Sequence, residues 1–315
     1  MIANIFICDK SFAFNGVDTL RVFQKKVLGM RSLFSVIEEK KSENRLFIHH
    51  KNFTETIISN DGDTIGSIIL GTEEDKCLMK VKYTRDVFNI LLSVFNYPQN
   101  CNYSYDDMME VLSDDYEDDN NCYGVVAMNH LLEFPKTKQI LYDEKGFYRF
   151  RRYYIGKLVK DPIEFMEQIE SYYDNLILNS DREFFCNELG KVIVSHGECI
   201  INGLNVLSEK LKSEICGKGE IKAENISNLL ESFAKSNGLD DASFEGKNKK
   251  DNLYFEFRKD LDQDCNECIT LYCGPHLKMY HDDKGNDNQH LRIYFAWDNA
   301  NLDVVYIGMI SSHVK

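Results

Sequence analysis

The run CNECITLYCGPHLKMYH, residues 265–281, sets Cys265, Cys268, Cys273, His276 and His281 close together. Thiolates and imidazoles in pairs are the usual ligands of tetrahedral zinc. Structural zinc sites separate their two pairs by about a dozen residues, or use a compact knuckle of different spacing. Here only Ile269, Thr270, Leu271 and Tyr272 intervene between Cys268 and Cys273, and they alternate in the manner of a strand. Cysteines set in a sheet fit this spacing better than a metal centre does, and no cofactor is assigned.

A second candidate is Asp9, which closes the apolar run ANIFIC (3–8). Several nuclease and phosphatase folds place a metal-binding carboxylate directly after a first strand, and Asp61 and Asp63 could join it in space. The activity this implies is a metal-dependent nuclease built on Asp9. The acidic stretch YDDMMEVLSDDYEDDNN (105–121) lacks the D-x-D-x-D-G loop and final Glu of a calcium hand. Its carboxylates repel one another, so it reads as a solvated loop or frayed helix. His130 and His196 lie in apolar settings and read as structural. No P-loop, dinucleotide fingerprint, nucleophile elbow or H-E-x-x-H motif is present.

A third candidate is FYRFRRYYIGKLVK (147–160), where Arg149, Arg151, Arg152, Lys157 and Lys160 interleave with Phe147, Tyr148, Phe150, Tyr153 and Tyr154 and no acid. Cations among rings can hold single-stranded nucleic acid by charge and stacking. The same alternation also describes an ordinary strand or helix with one wet face.

These residues need a frame, and the apolar periodicity supplies one. ANIFIC is expected as a buried strand and residues 19–41 as an amphipathic helix. Strands are expected at 45–50, 55–60, 64–71 and 77–84, and a helix at 85–95. Asp161-Pro162 opens a helix, with Asp161 as its cap and Glu164 at the capping-box position. The apolar stripe Ile163, Met166, Ile169, Tyr173, Leu176 and Ile177 continues it. Further helices are expected from Asp181 and over 223–238, the last stopped by Asn237-Gly238. Residues 191–204 suit helix or strand. The polar run DDASFEGKNKKDN (240–252) reads as a linker. Beyond it LYFEFRK, CITLYCG, LRIYFAW and DVVYIGMI alternate as strands. The fold class is therefore α+β: an N-terminal α/β plus helical body over 1–240, then a small domain over 250–315 with a mainly antiparallel sheet.

The chain has 315 residues, 43% of them hydrophobic, and a formal net charge of −14. It can bury a core of ordinary size. The acidity argues against broad duplex DNA binding, which depends on neutralising phosphates, and favours a basic protein partner. No apolar run approaches the length of a membrane span, and MIANIFICDK has no signal-peptide pattern. A cytoplasmic protein with reduced thiols is expected.

The C-terminal region carries one resemblance. HLK at 276–278, RIYF at 292–295 and VVYIGMISSH at 304–313 resemble the core of the RelE/ParE toxin superfamily. The likeness covers about 250–315. It implies ribosome-dependent RNA cleavage, with Arg292 holding the scissile phosphate. Lys278 and His313 would stabilise charge and move protons, with His276 a second candidate and Tyr294 placed to stack on or position a base. The function implied is a toxin-like effector of bacterial stress or anti-phage defence, acting on RNA or the ribosome. The alternative is a non-catalytic interaction or sensor subunit of a defence complex.

Overall fold

The computed structural model describes residues 1–12, 20–48, 53–57, 59, 62–70, 85–96, 99–100, 104–113, 118–128, 137–215, 226–245, 253–258, 268–279, 291–298 and 301–312. The chain combines an N-terminal mixed α/β region, a helical middle and a C-terminal, mostly antiparallel sheet. It divides into two compact units, Met1–Arg151 and Arg152–Lys315.

The first unit runs β1 (Ile2–Ile7), α1 (Leu20–Glu39), β2 (Asn44–Ile48), α2 (Ile65–Leu70), α3 (Arg85–Asn96), β3 (Gln99–Asn100), α4 (Tyr105–Val111), β4 (Asn121–Val126) and β5 (Ile140–Leu141), then enters α5 (Glu144–Leu158). Its strands lie in the order β3-β2-β1-β4-β5, every pair parallel. A central parallel strand is covered on both faces, which is why Ile5, Phe6 and Ile7 are all apolar and all buried. Phe23, Val27, Met30, Leu33, Phe34 and Ile37 form the buried stripe of α1. Gly124 lets the ring of Phe150 lie on β4, since a Cβ there would sit 3.0 Å from it.

Among the described residues, the strands expected at 55–60 and 64–71 are not formed. Phe53–Glu55 is a short 3-10 turn, and Ile57 makes only a single bridge to Thr64. Ile65–Leu70 is helical because Thr64 and Ser67 cap each other. The Ser67 amide donates to Thr64 Oγ1 at 3.0 Å and the Thr64 amide donates to Ser67 Oγ at 2.9 Å. That exchange outweighs the β-branched composition of the segment. The strand expected at 77–84 lies outside the described residues. In the acidic stretch, Ser104 and Asp107 form a capping box for α4.

The second unit continues α5 and adds α6 (Pro162–Tyr172), β6 (Leu176–Leu178), α7 (Arg182–Gly190), α8 (Ile193–Glu214), α9 (Ile226–Ser236), β7 (Asp241–Phe244), β8 (Tyr254–Arg258), β9 (Cys268–Tyr272), β10 (Pro275–Met279), β11 (Leu291–Asp298) and β12 (Asn301–Ser311). Asp161 caps α6, accepting from the amides of Ile163 and Glu164. The sheet order is β6-β12-β11-β10-β7, antiparallel except for the parallel β12–β6 pair. Helix α8 covers one face, where Gly203 approaches Ile293, Met279 and Leu277. The β8–β9 hairpin covers the other, burying Phe255 and Phe257 against Tyr294, Ala296, Val304, Tyr306 and Met309.

The expected body of 1–240 and domain of 250–315 do not coincide with these units. Leu176 and Ile177 belong to β6 and pair with Val305 and Tyr306, where a continued helical stripe was expected. The helix stops because Tyr173 is extended, at φ −130° and ψ 107°. Part of the expected linker is strand: Asp241–Phe244 hydrogen-bonds along β10.

Candidate functional site: a polar ladder on the C-terminal sheet

Residues paired across antiparallel strands share one face of the sheet. Two such rows cross β7, β10, β11 and β12. The first is Asp241, Lys278, Arg292 and Ser311; the second is Ser243, His276, Tyr294 and Met309. The sheet thus brings together four of the residues singled out in the sequence: His276, Lys278, Arg292 and Tyr294. His313 lies outside the described residues.

Each of the four is engaged. Lys278 Nζ donates to Asp241 Oδ2 at 3.0 Å. Arg292 Nη1 donates to Glu245 Oε1 at 2.8 Å and to the Tyr294 hydroxyl at 3.1 Å. His276 stacks on Tyr294, ring centroids 4.9 Å apart. Its Nδ1 lies 3.2 Å from the Gly274 carbonyl and its Nε2 lies 3.0 Å from Ser243 Oγ. A carbonyl only accepts, so Nδ1 carries the proton and Nε2 accepts from Ser243. Glu245 and Ser243, which sequence reasoning passed over, complete the network. They fall in the segment taken for a linker, so only its two-residue alternation (Ala242, Phe244) could have marked it as a strand.

Burial, reinforced by Arg292 and Lys278, pushes the His276 imidazole down from its ordinary 6.5 to about 4. The group therefore stays neutral in the native state, while the unfolded chain binds a proton below pH 6.5. Its contribution to stability is complete above that pH and is lost as pH falls through about 4. We predict an acid-side loss on the order of 3 kcal/mol, read by urea unfolding at stepped pH, and a flatter profile in His276→Gln.

The basic run is arranged differently. It forms α5, and Arg149 is exposed whereas Arg151 and Arg152 are buried. Arg151 donates to Glu43 at 3.2 Å and to the Met1 carbonyl at 3.4 Å. Arg152 donates to the Tyr172 carbonyl at 2.9 Å and to Glu209 at 3.4 Å, with its guanidinium 4.0 Å from the centre of the Tyr173 ring. Two of the three arginines assigned to nucleic acid thus serve the interior of the fold, because a buried cation needs carboxylate and carbonyl partners.

Among the described residues, no three His, Cys, Asp or Glu side chains converge on a metal position. Cys268 is exposed and Cys273 is buried under the hairpin, both as free thiols. Cys265 and His281 lie outside the described residues. Asp9 follows β1 directly, beside the carboxyl end of β4. There Ser11 Oγ donates to the Cys8 carbonyl at 2.6 Å and accepts from the Met128 amide at 3.1 Å, tying the two strand ends together. Among the described residues, no helix is long and apolar enough to cross a membrane.

No protein-family model, curated protein or solved structure matches this chain.

Proposed function

We propose that the C-terminal unit is a recognition module, the interaction or sensor part of a larger assembly, and that it does not itself cleave RNA. The observation that carries this is the engagement of two catalytic candidates, His276 and Lys278. Both ring nitrogens of His276 are committed inside the sheet, and Lys278 is held by Asp241. A general acid or base needs a nitrogen within reach of the substrate proton. What stays open is donor capacity on Arg292, which suits binding. The rival is the toxin-like effector implied by the RelE/ParE resemblance, with its defence setting.

One observation favours a second activity, in the first unit. The winding of its parallel sheet reverses between β1 and β4, and open α/β sheets take their ligands at the carboxyl ends of strands at such a point. Asp9 stands there, as a metal-dependent nuclease would require.

One experiment separates the three. Wild type, Arg292→Ala and Asp9→Asn are induced in cells, and growth and mRNA length are followed, with purified protein tested on RNA with and without a divalent ion. Recognition predicts intact RNA throughout. Shortened mRNA with wild type but not with Arg292→Ala would overturn it in favour of the toxin. Cleavage that needs the divalent ion and disappears in Asp9→Asn would establish the nuclease.

A further inference from the structure

We infer that the groove between α1 and α3 of the first unit binds a small zwitterion, with its carboxylate on Arg31, its ammonium on Asp86 and its hydrocarbon on the floor between them. This goes beyond the recognition reading of the second unit and does not rest on it. The topology places the two helices. β2 lies beside β1 and β3 beside β2, all parallel, so both crossovers step the same way across the sheet. Right-handed connections leave α1 and α3 on one face of that sheet, and they pack against each other there. On each helix, residues three and four apart share a side. Arg31, Phe34 and Ser35 of α1 therefore face Asp86, Asn89 and Ile90 of α3 across a cavity of about 280 Å³.

The chemistry of the occupant follows from the lining. Phe34 and Ile90 are only 5% and 7% exposed and form an apolar floor. Arg31, Ser35, Asp86 and Asn89 stand exposed around it. Opposite charges on neighbouring helices ordinarily close into an ion pair. Arg31 and Asp86 line one cavity without doing so, and among the described residues neither side chain bonds to another. Ser93, further along α3, donates its hydroxyl to the Ile90 carbonyl at 2.7 Å and so is not an open donor. A simple anion would meet Arg31 but be repelled by Asp86, and a simple cation would meet the reverse. A molecule with both charges on one short carbon frame satisfies both. The guanidinium fork matches a carboxylate with two parallel N–H groups, and an ammonium donates to the Asp86 carboxylate. Asn89 both donates and accepts, so it can serve either end. The volume falls at the low end of ligand pockets, about 300–1,000 Å³, which limits the occupant to something the size of a free amino acid.

The test titrates the full chain with four probes by ligand-observed NMR. L-Leucine is the first. 4-Methylpentanoate and 3-methylbutylamine are leucine without its amine and without its carboxylate. 4-Aminobutanoate is a longer zwitterion. The variants are Arg31→Gln and Asp86→Asn, each checked by thermal melting. Both side chains are exposed and unbonded, so both proteins are expected to melt with wild type. The expected result is saturable leucine binding, about tenfold tighter than that of either single-charge relative and weakened about tenfold by either substitution. Arg31→Gln should weaken the acid and not the amine, and Asp86→Asn the amine and not the acid. Tighter binding of 4-aminobutanoate than of leucine, with the same dependence on both residues, supports the groove and identifies an ω-amino acid as its occupant. Leucine and 4-aminobutanoate binding no tighter than the single-charge relatives overturns the zwitterion. Affinities equal in wild type and both variants place the ligand elsewhere and overturn the site. Absence of binding of all four probes by folded wild type overturns it as well.

Discussion

Gly197→Ala is expected to destabilise the second unit by about 3 kcal/mol or more, enough to leave much of it unfolded at 37 °C. Gly197 on α8 faces Gly156 on α5, and the two backbones touch. A Cβ at Gly197 would lie 2.3 Å from the Gly156 carbonyl oxygen. A Cβ at Gly156 would lie 2.9 Å from the Gly197 oxygen and 2.9 Å from Ile201 Cγ1. A side chain in the way can rotate; a carbonyl within a helix cannot, so the helices must separate and open the packing beneath them. Urea unfolding of the full chain measures the loss. Gly29→Ala is the control, since nothing lies within 4 Å of a Cβ added to that position of α1. There the better helix propensity of Ala should add up to about 1 kcal/mol. Equal effects at the two positions would refute the close crossing.

Glu245→Ala is expected to cost about 3 kcal/mol, and Glu245→Gln about 1 kcal/mol. The side chains of Arg292 and Glu245 are only 10% and 19% exposed. Removing the carboxylate leaves a largely buried guanidinium with the Tyr294 hydroxyl alone, and the desolvation already incurred is not recovered. Gln keeps a neutral acceptor. The double change Arg292→Met with Glu245→Gln should return most of the stability, because it removes the charge along with its partner. Melting temperatures of the four proteins test the set. A Glu245→Ala protein as stable as wild type would show that the ion pair does not hold β7 to the sheet.

How far the sequence reached depended on the kind of signal. Alternation in LYFEFR marked β8 because one of its faces is in the core, whereas LRIYFAW marked β11 by its aromatic and β-branched composition, since that strand is buried on both faces. Asp161 announced α6 through local chemistry alone. Leu176–Leu178 carried no such mark: three apolar residues after a helix fit another turn of helix until a partner strand is known. That partner, β12, is distant in the sequence, and pairing of this kind leaves no local trace. Arg151 and Arg152 were misleading for a related reason. Their partners, Glu43 and Glu209, come from other elements, so a run without acids looked unpaired. In the candidate site, Arg292, Lys278, His276 and Tyr294 were singled out one by one. What could not be read was the register that sets them side by side, and with it Glu245, Ser243 and Ser311.

The β6–β12 pair also governs when the second unit can form. Asn179, just past β6, bonds the Gly308 carbonyl across 129 residues. During synthesis α6, α7 and α8 emerge long before β11 and β12, at about 5–20 residues per second. For those seconds Leu176, Ile177 and the sheet-facing side of α8 have nothing to cover them. The nascent second unit thus carries an uncovered apolar strand during synthesis, and the point at which that strand is paired is set by the arrival of Val305–Ile307 rather than by the number of helices already made.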